Sequence, residues 1–477
     1  MAITIEGQPQ RMTAGYNPVM YYLSSTNVNQ LGFRYIVEVY EAGTSTKLFE
    51  KKYAPRPVDG FAEINISRDV QSYLSANEPF GVSSQNATNH YLKYDIKFGE
   101  EYRVAWSFTD FIFNSGQTGF WQVPNVTPHP FVVGDQISVV LDSPPGDFRD
   151  ALEGQFSVIA VPSAYWITTS LPWIGSGAAL TGKIYYSDNR KSRFTNLANV
   201  TNQIVFNGAL DIKAFKDWNF SNYSLDGNGL FLTNQPNDFK ITPTQDLFPT
   251  FFNDFSTTTK RIYFETDSGD IGYKTVAVGS TVGLTQVDAG TNGMGSLTMV
   301  VGTLPLIDDN TVYYEYWLSN TTPTQLTEKT RVYINRTCSI EDYEILFLDR
   351  LGSFSSYAFQ LRSIDKGTVQ RMSYNKKFGD VNTTTNTFNF NTWDSGRTTY
   401  HIDLSKELTL NTNWLTDAES VYFEELITSG YTFVKINGEY FACQVQENSF
   451  EVQRQKNKNL IRKTINVKLA VDTPINV

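Results

Sequence analysis

Tyr343-Glu-Ile-Leu-Phe-Leu-Asp-Arg-Leu-Gly-Ser-Phe-Ser-Ser-Tyr-Ala-Phe-Gln-Leu-Arg362 carries apolar residues on both sides of an extended chain. Tyr343, Ile345 and Phe347 project to one face of a strand and Leu346 and Leu348 to the other, because successive strand side chains alternate. A strand apolar on both faces must be covered on both, so it is expected in the interior of a sheet. Asp349, Arg350 and Gly352 supply turn chemistry, and Tyr357, Phe359 and Leu361 then resume a strict alternation. The pattern predicts a hairpin whose second strand buries one face, with Ser353, Ser355 and Ser356 at its turn. A buried hairpin this far along the chain needs partners from elsewhere, which predicts a large, mostly β protein.

The totals agree. A chain of 477 residues exceeds one core, and domains of roughly 100 to 200 residues imply about three or four. The 33 Phe, 27 Tyr and 8 Trp, against 6 Met and 18% charged residues, are strand and hairpin composition. A net charge of −10 gives no general attraction to nucleic acid or to an anionic membrane surface. Cys338 and Cys443 are far apart and without CxxC or Cys/His spacing, so buried thiols are expected rather than a disulfide framework or zinc site. Met1-Ala-Ile-Thr-Ile-Glu-Gly7 has neither a basic nor an apolar signal region, and no apolar run approaches the roughly 20 residues of a membrane span. Synthesis in a cytoplasm without a standard signal peptide, and no membrane insertion, are therefore expected.

The predicted fold class is mainly β and multidomain: immunoglobulin-like sandwiches plus a small inserted β-barrel, with few short helices. Residues 1–125 read as an N-terminal β-sandwich. Within it, Phe33 to Tyr40 and Leu48 to Lys52 form a hairpin, Ala62 to Ile66 a short strand, Ser67 the cap of a helix of about two turns, and 92–98 and 102–108 further strands. A Pro-rich joint (Pro124, Pro128, Pro130) opens 126–195, a small barrel module with runs at 136–141, 155–161, 165–170 and 183–187. The central region 196–400 has β runs at 202–206, 261–265, 297–301 and 312–317 separated by long polar connections. Among these, Asp288 to Ser296 reads by composition as an exposed, mobile loop. In 401–477, Thr416-Asp-Ala-Glu419 is a capping box for a helix stopped by Ser429-Gly430, with Trp414 as its candidate staple. Strands follow at 431–436, 439–444 and 461–469. Glu63-Ile-Asn-Ile-Ser-Arg-Asp-Val70 is echoed by His401-Ile-Asp-Leu-Ser-Lys-Glu-Leu408, over too few positions for a repeat.

No motif carries a complete chemistry, so no catalytic, cofactor-binding or metal-ligating residue is assigned. Gly177-Ala-Ala-Leu-Thr-Gly-Lys183 approaches a phosphate-binding loop, but Ile184 stands where a hydroxyl is needed and Lys183 to Ser187 reads as a strand. His90, His129 and His401 form no HExxH or HxH pattern, and no GxSxG elbow is present. Asp147, Asp150 and Glu153, or Glu424 and Glu425, would serve as an acid/base pair only if two carboxyls faced each other across a substrate; a solvated surface is the plainer expectation. Asp226-Gly-Asn-Gly229 and Asp308-Asp-Asn310 lack the closing Glu of a calcium loop and read as turns. The basic cluster Arg454, Lys456, Lys458, Arg462 and Lys463 is either a solvated strand edge or a contact with an acidic neighbouring subunit.

Several stretches, in their order, resemble structural virion proteins of tailed phages and prophages of Bacteroidetes hosts. They are Ile3-Thr-Ile5 with Asn17-Pro-Val19, Arg34-Tyr-Ile-Val-Glu-Val-Tyr40, Gly60-Phe-Ala-Glu-Ile-Asn-Ile-Ser67, Leu348-Asp-Arg-Leu-Gly-Ser353, and the Trp414 to Ser429 helix with its basic tail. The resemblance implies a non-enzymatic tail, connector, ring or baseplate subunit, located in the virion. It would assemble with copies of itself and with other tail or connector proteins, and it transfers no catalytic residue, cofactor or specific nucleic-acid contact. A receptor-binding or glycan-binding adhesin on the same particle is the alternative.

Overall fold

The computed structural model describes residues 3–108, 110–112, 120–122, 129, 131–141, 155–163, 166–170, 182–187, 192–225, 229–253, 259–277, 282–321, 324–337, 343–394, 396–447, 461–471 and 473–474. The protein is mainly β, built from several sheets, one of them curled like half a barrel, with few short helices. It divides into two compact units, each discontinuous in sequence. The first is Met1–Arg11, Pro18–Asp69 and Lys93–Ile204; the second is Met12–Asn17, Val70–Leu92 and Val205–Val477.

In the second unit the first strand of the hairpin is interior, as its sequence predicts. Tyr343–Leu348 pairs antiparallel with Phe354–Phe359, from Tyr343↔Phe359 to Leu348↔Phe354, and on its other side with Thr432–Ile436. It is an interior strand, with Ile345, Leu346 and Phe347 fully buried. Gly352 closes the turn at φ +87°, a left-handed conformation that costs a residue without Cβ little. The second strand departs from expectation, because both its faces are buried. Ser355 and Ser356 lie inside it, not in the turn, and with Ser353 they are inaccessible. The physical reason is a polar loop laid on the strand: Thr250 N donates to Ser353 Oγ (2.7 Å), which donates to Leu232 O (2.6 Å). Gln245 Nε2 likewise reaches Ser356 Oγ (2.9 Å), and Ser356 donates to Asp246 O.

The hairpin belongs to a sheet ordered Phe354–Phe359, Tyr343–Leu348, Thr432–Ile436, Glu439–Val445, Thr464–Leu469, Arg397–Asn411, Ile364–Asn375. A second sheet runs Phe239–Ile241, Thr330–Ile334, Tyr313–Asn320, Thr259–Thr266, Ile271–Ala277, Thr298–Val301. Ile262, Phe264, Tyr314, Tyr316 and Val332 of the second sheet share one core with Ile345, Phe347, Val434, Ile465 and Val467 of the first. At roughly 1.5 to 3 kcal/mol for each large side chain fully buried, this shared core is what joins the sheets.

Helix Asp417–Thr428 adds Tyr422, Phe423 and Leu426 to the core. Its capping box forms as predicted: Glu419 N donates to Thr416 Oγ1 (3.2 Å) and Thr416 N to Glu419 Oε2 (2.8 Å). Trp414 is not a buried staple. It stays more than half exposed, and Leu415 is the residue buried before the cap. The Asp288 to Ser296 segment is likewise not an exposed loop. It holds the 3-10 helix Thr291–Ser296, with Asp288, Ala289, Thr291 and Met294 buried. Two of its glycines, Gly290 and Gly293, serve close packing: a Cβ on Gly293 would fall 1.6 Å from Asp288 Oδ2.

In the first unit, Arg34–Glu41 pairs with Lys47–Tyr53 as the predicted hairpin and also with Tyr91–Tyr102. The runs expected within 126–195 appear as Gln136–Leu141, Gln155–Ser163, Trp166–Thr169 and Gly182–Tyr186. They pair with one another and with Trp106–Phe108, so this sheet recruits chain from before residue 126. Ile137, Val139, Val158, Ile167 and Ile184 form its core with Phe131. No helix among the described residues is long and apolar enough to cross a membrane.

Candidate functional site

Strand register, not sequence proximity, builds the most elaborate polar site in the second unit. Glu344 stands directly opposite Lys435, and Lys435 directly opposite Tyr440, so the three side chains form a row across three adjacent strands. Asp246, from the loop after Phe239–Ile241, closes the row from above. Lys435 Nζ donates to Asp246 Oδ2 (2.6 Å) and Glu344 Oε2 (3.1 Å), and Tyr440 OH donates to Asp246 Oδ2 (2.6 Å). Asp246 N donates to Glu344 Oε1 (2.9 Å) and Asn292 Nδ2 to Asp246 Oδ1 (3.1 Å). Glu344 is only 6% exposed.

The electrostatics follow from this burial. Desolvation pushes the Glu344 carboxyl up to about 7, Lys435 opposing the rise and Asp246 adding to it. Burial pulls the Lys435 ammonium down, but the attraction of Glu344 and Asp246 outweighs it and holds the group above its usual value. Tyr440 is raised, by burial first and then by both carboxylates, and remains a hydrogen-bond donor. Next to the row, Lys274 Nζ lies 3.3 Å from Asp288 Oδ2, and burial raises the Asp288 pKa.

An open cleft of about 750 Å³ lies over this cluster, lined among others by Phe80, Asp246, Asp288, Lys435, Glu439 and Tyr440. Phe80 stacks on Tyr440 at 4.7 Å between centroids. The cleft therefore offers an aromatic wall beside carboxylates, an arrangement suited to cationic or hydroxyl-rich ligands. It does not present a free carboxylate pair, because the Lys435 ammonium already bridges Asp246 and Glu344.

A second acidic pair lies behind the hairpin turn. Asp349 accepts from Thr233 Oγ1 (2.7 Å) and Ser353 N (2.9 Å), and Glu425 from Asn234 Nδ2 (2.8 Å) and Arg350 N (3.0 Å). Burial raises both carboxyls, and Glu425 raises Asp349 further. Glu425 is thus a buried anchor for the turn, not the solvated surface residue its sequence suggests.

The other distinctive feature is an arm. Ile364–Asn375 and Arg397–Asn411 pair over twelve registers, from Ile364↔Thr409 to Asn375↔Arg397, and a small ribbon of Asp380–Asn382 with Thr387–Asn389 lies at their outer end. Ile364–Asn375 is an edge strand, exposed along nearly its whole length. Phe378, Phe388 and Phe390 pack against one another with tilted rings, 5.1 to 6.3 Å between centroids, yet remain exposed, and Trp393 is 79% exposed. Met372, Tyr374 and Tyr400 form another exposed group. Contiguous exposed apolar surface of this kind marks interaction sites.

The residues singled out in the sequence are mostly scattered. His90 is wholly buried, its Nδ1 3.2 Å from Gly352 O and its pKa lowered by burial to about 4. His129 is buried with Nε2 3.1 Å from Ser163 O, and His401 is exposed beside Asp403 at 2.8 Å. Cys443 is a buried free thiol. Asp308 makes a turn, accepting from Asn310 N and Thr311 N. Gly182 and Lys183 lie in a strand. Of the basic cluster, Arg462 is exposed with its guanidinium 5.6 Å from the Trp414 ring, and Lys463 is half-buried with Nζ 5.7 Å from the Phe423 ring. Arg454, Lys456 and Lys458 lie outside the described residues, as do Pro124, Pro128, Pro130, Asp147, Asp150, Glu153, 177–181, 226–228 and Cys338.

Among the described residues no group of three or more His, Cys, Asp or Glu is placed to hold a metal ion. No family model and no curated protein matches the chain. The sequence reading missed both Glu344 with its partners and the arm. The signal for the first was an acid inside an otherwise apolar strand, and for the second the Thr/Asn-rich turn from Asn382 to Thr387 between aromatic residues.

Proposed function

We propose that the chain is a non-enzymatic structural component of a tailed-phage virion: a tail, ring or baseplate subunit that assembles with copies of itself and with neighbouring tail proteins. The observation that carries this reading is the arm. Its outer half is a two-stranded ribbon that pairs with no further strand among the described residues, an arrangement marginally stable in water, and one that exposes Phe388, Phe390 and Trp393 is built to be completed by a neighbour. The saturated Asp246–Lys435–Glu344 row adds support, since an ammonium occupies the space between its carboxylates. The resemblance of Ile3 to Ile5, Arg34 to Tyr40 and Leu348 to Ser353 to virion proteins supplies the setting. Mass spectrometry of purified particles, followed by location of the chain in an electron-microscopy map, tests the reading. Absence of the chain from intact particles refutes it.

One observation favours a second reading, a glycan-binding adhesin on the same particle: the cleft sets Phe80 and Tyr440 beside Asp246, Asp288 and Asn292, groups that stack on and hydrogen-bond sugars. A sugar array probed with the wild-type chain and a Tyr440→Ala variant separates the two, because specific binding lost in the variant belongs to the adhesin alone.

A further inference from the structure

We propose that the arm of one copy docks, through its basic and aromatic outer end, into the Asp246–Tyr440 cleft of the next copy, so that the chain assembles head to tail. The inference deepens the virion-subunit reading and rests on it. From Arg371↔Ile402 outward the arm strands pair only with each other, and their aromatic side chains belong to no core among the described residues. The partner surface must therefore be apolar in part.

It must also be acidic. Arg371, Lys376, Lys377 and Arg397 outnumber Asp380 and Asp394 at this end of the arm, in a chain whose net charge is −10. Two arms laid edge to edge would bring these cations together, which disfavours a symmetric arm-to-arm contact. The cleft has the complementary character. Asp246, Asp288 and Glu439 line it and outnumber Lys435 together with Lys274, which pairs with Asp288; the Phe80 and Tyr440 rings form its wall, and its volume of about 750 Å³ admits aromatic side chains. Opposite charges steer the encounter and set its register, while the rings supply the buried area. Because arm and cleft are different surfaces, the contact is heterologous and generates a ring or an open filament.

Sedimentation velocity of the full-length chain over a concentration series, at low and high salt, tests this. Wild type is expected to form oligomers beyond the dimer, more weakly at high salt. The Arg371→Glu/Lys376→Glu variant and the Phe388→Ser/Phe390→Ser variant are each expected to associate about tenfold more weakly, with unchanged thermal unfolding. Glu439→Lys, at an exposed position of the cleft, should weaken association alone and recover it when combined with Arg371→Glu/Lys376→Glu. A wild-type chain that stays monomeric, arm variants that associate like wild type, or a combined variant that recovers nothing each overturns the proposal. Arm variants assembling normally in a chain that is found in virions sinks this inference and spares the virion reading; arm-dependent oligomers of a chain absent from virions do the reverse.

Discussion

Replacing Glu344 by Gln removes the ionisable group at the centre of the buried row and keeps its shape. In the unfolded chain this carboxyl ionises near 4.5, whereas burial raises it to about 7 in the folded protein. Between those values the folded state holds a proton that the unfolded state has released. The unfolded state thus binds fewer protons, and stability falls as pH rises through this window, levelling above about pH 7. Each pKa unit is worth about 1.36 kcal/mol, so ionising Glu344 in place costs on the order of 3 kcal/mol by pH 8. Gln retains an oxygen to accept from Asp246 N and cannot ionise. Relative to wild type, Glu344→Gln should therefore gain on the order of 3 kcal/mol between pH 4.5 and pH 8, starting from a deficit of about 1 kcal/mol at the acid end for altered hydrogen bonds. Asp288, Asp349 and Glu425, whose pKa values are also raised, are present in both proteins and cancel in the difference. Urea titrations followed by near-ultraviolet circular dichroism at pH 5, 6, 7 and 8 measure it. A difference between the two proteins that is the same at pH 5 and pH 8 would refute the argument.

Lys435→Met strips the ammonium from between Asp246 and Glu344 and should cost about 3 to 5 kcal/mol at pH 8 but less at pH 5, where Glu344 is protonated; equal losses at both pH values would count against the row as an ion-paired unit. Leu346→Ala opens a cavity beside Phe248 and Phe354, with an expected loss of about 2 to 5 kcal/mol in urea unfolding, and a loss near zero would mean that the strand is not interior. Thr416→Ala removes half of the capping box and should cost about 1 kcal/mol, seen as faster amide exchange in the first turn of Asp417–Thr428, with no such change expected in the hairpin.

Local signals were legible wherever the chain itself carried the whole cause. The Thr416/Glu419 box needs only side chains three positions apart and the backbone between them, and the Asp349 to Ser353 turn is legible from an aspartate that accepts from its own Leu351 N and Ser353 N and a glycine free to adopt positive φ, although Thr233 and Glu425 brace it from elsewhere. The mainly β class followed from alternation and aromatic content for the same reason. What the sequence left open depends on segments that meet only in three dimensions. Glu63 to Val70 and His401 to Leu408 share a pattern, yet the first passes from a strand into helix Ser67–Gln71 and the second continues as strand through Arg397–Asn411, because it is paired along its length with Ile364–Asn375. Glu344 became a buried acid because register set Lys435 opposite it from ninety-one residues away, a distance over which no local pattern acts. Phe347 and Phe388 are the same residue in similar strand-forming sequence. One is buried because it shares a core with a second sheet and the other is exposed because no sheet among the described residues covers it, so whether an aromatic side chain is buried or exposed is decided by the tertiary structure alone.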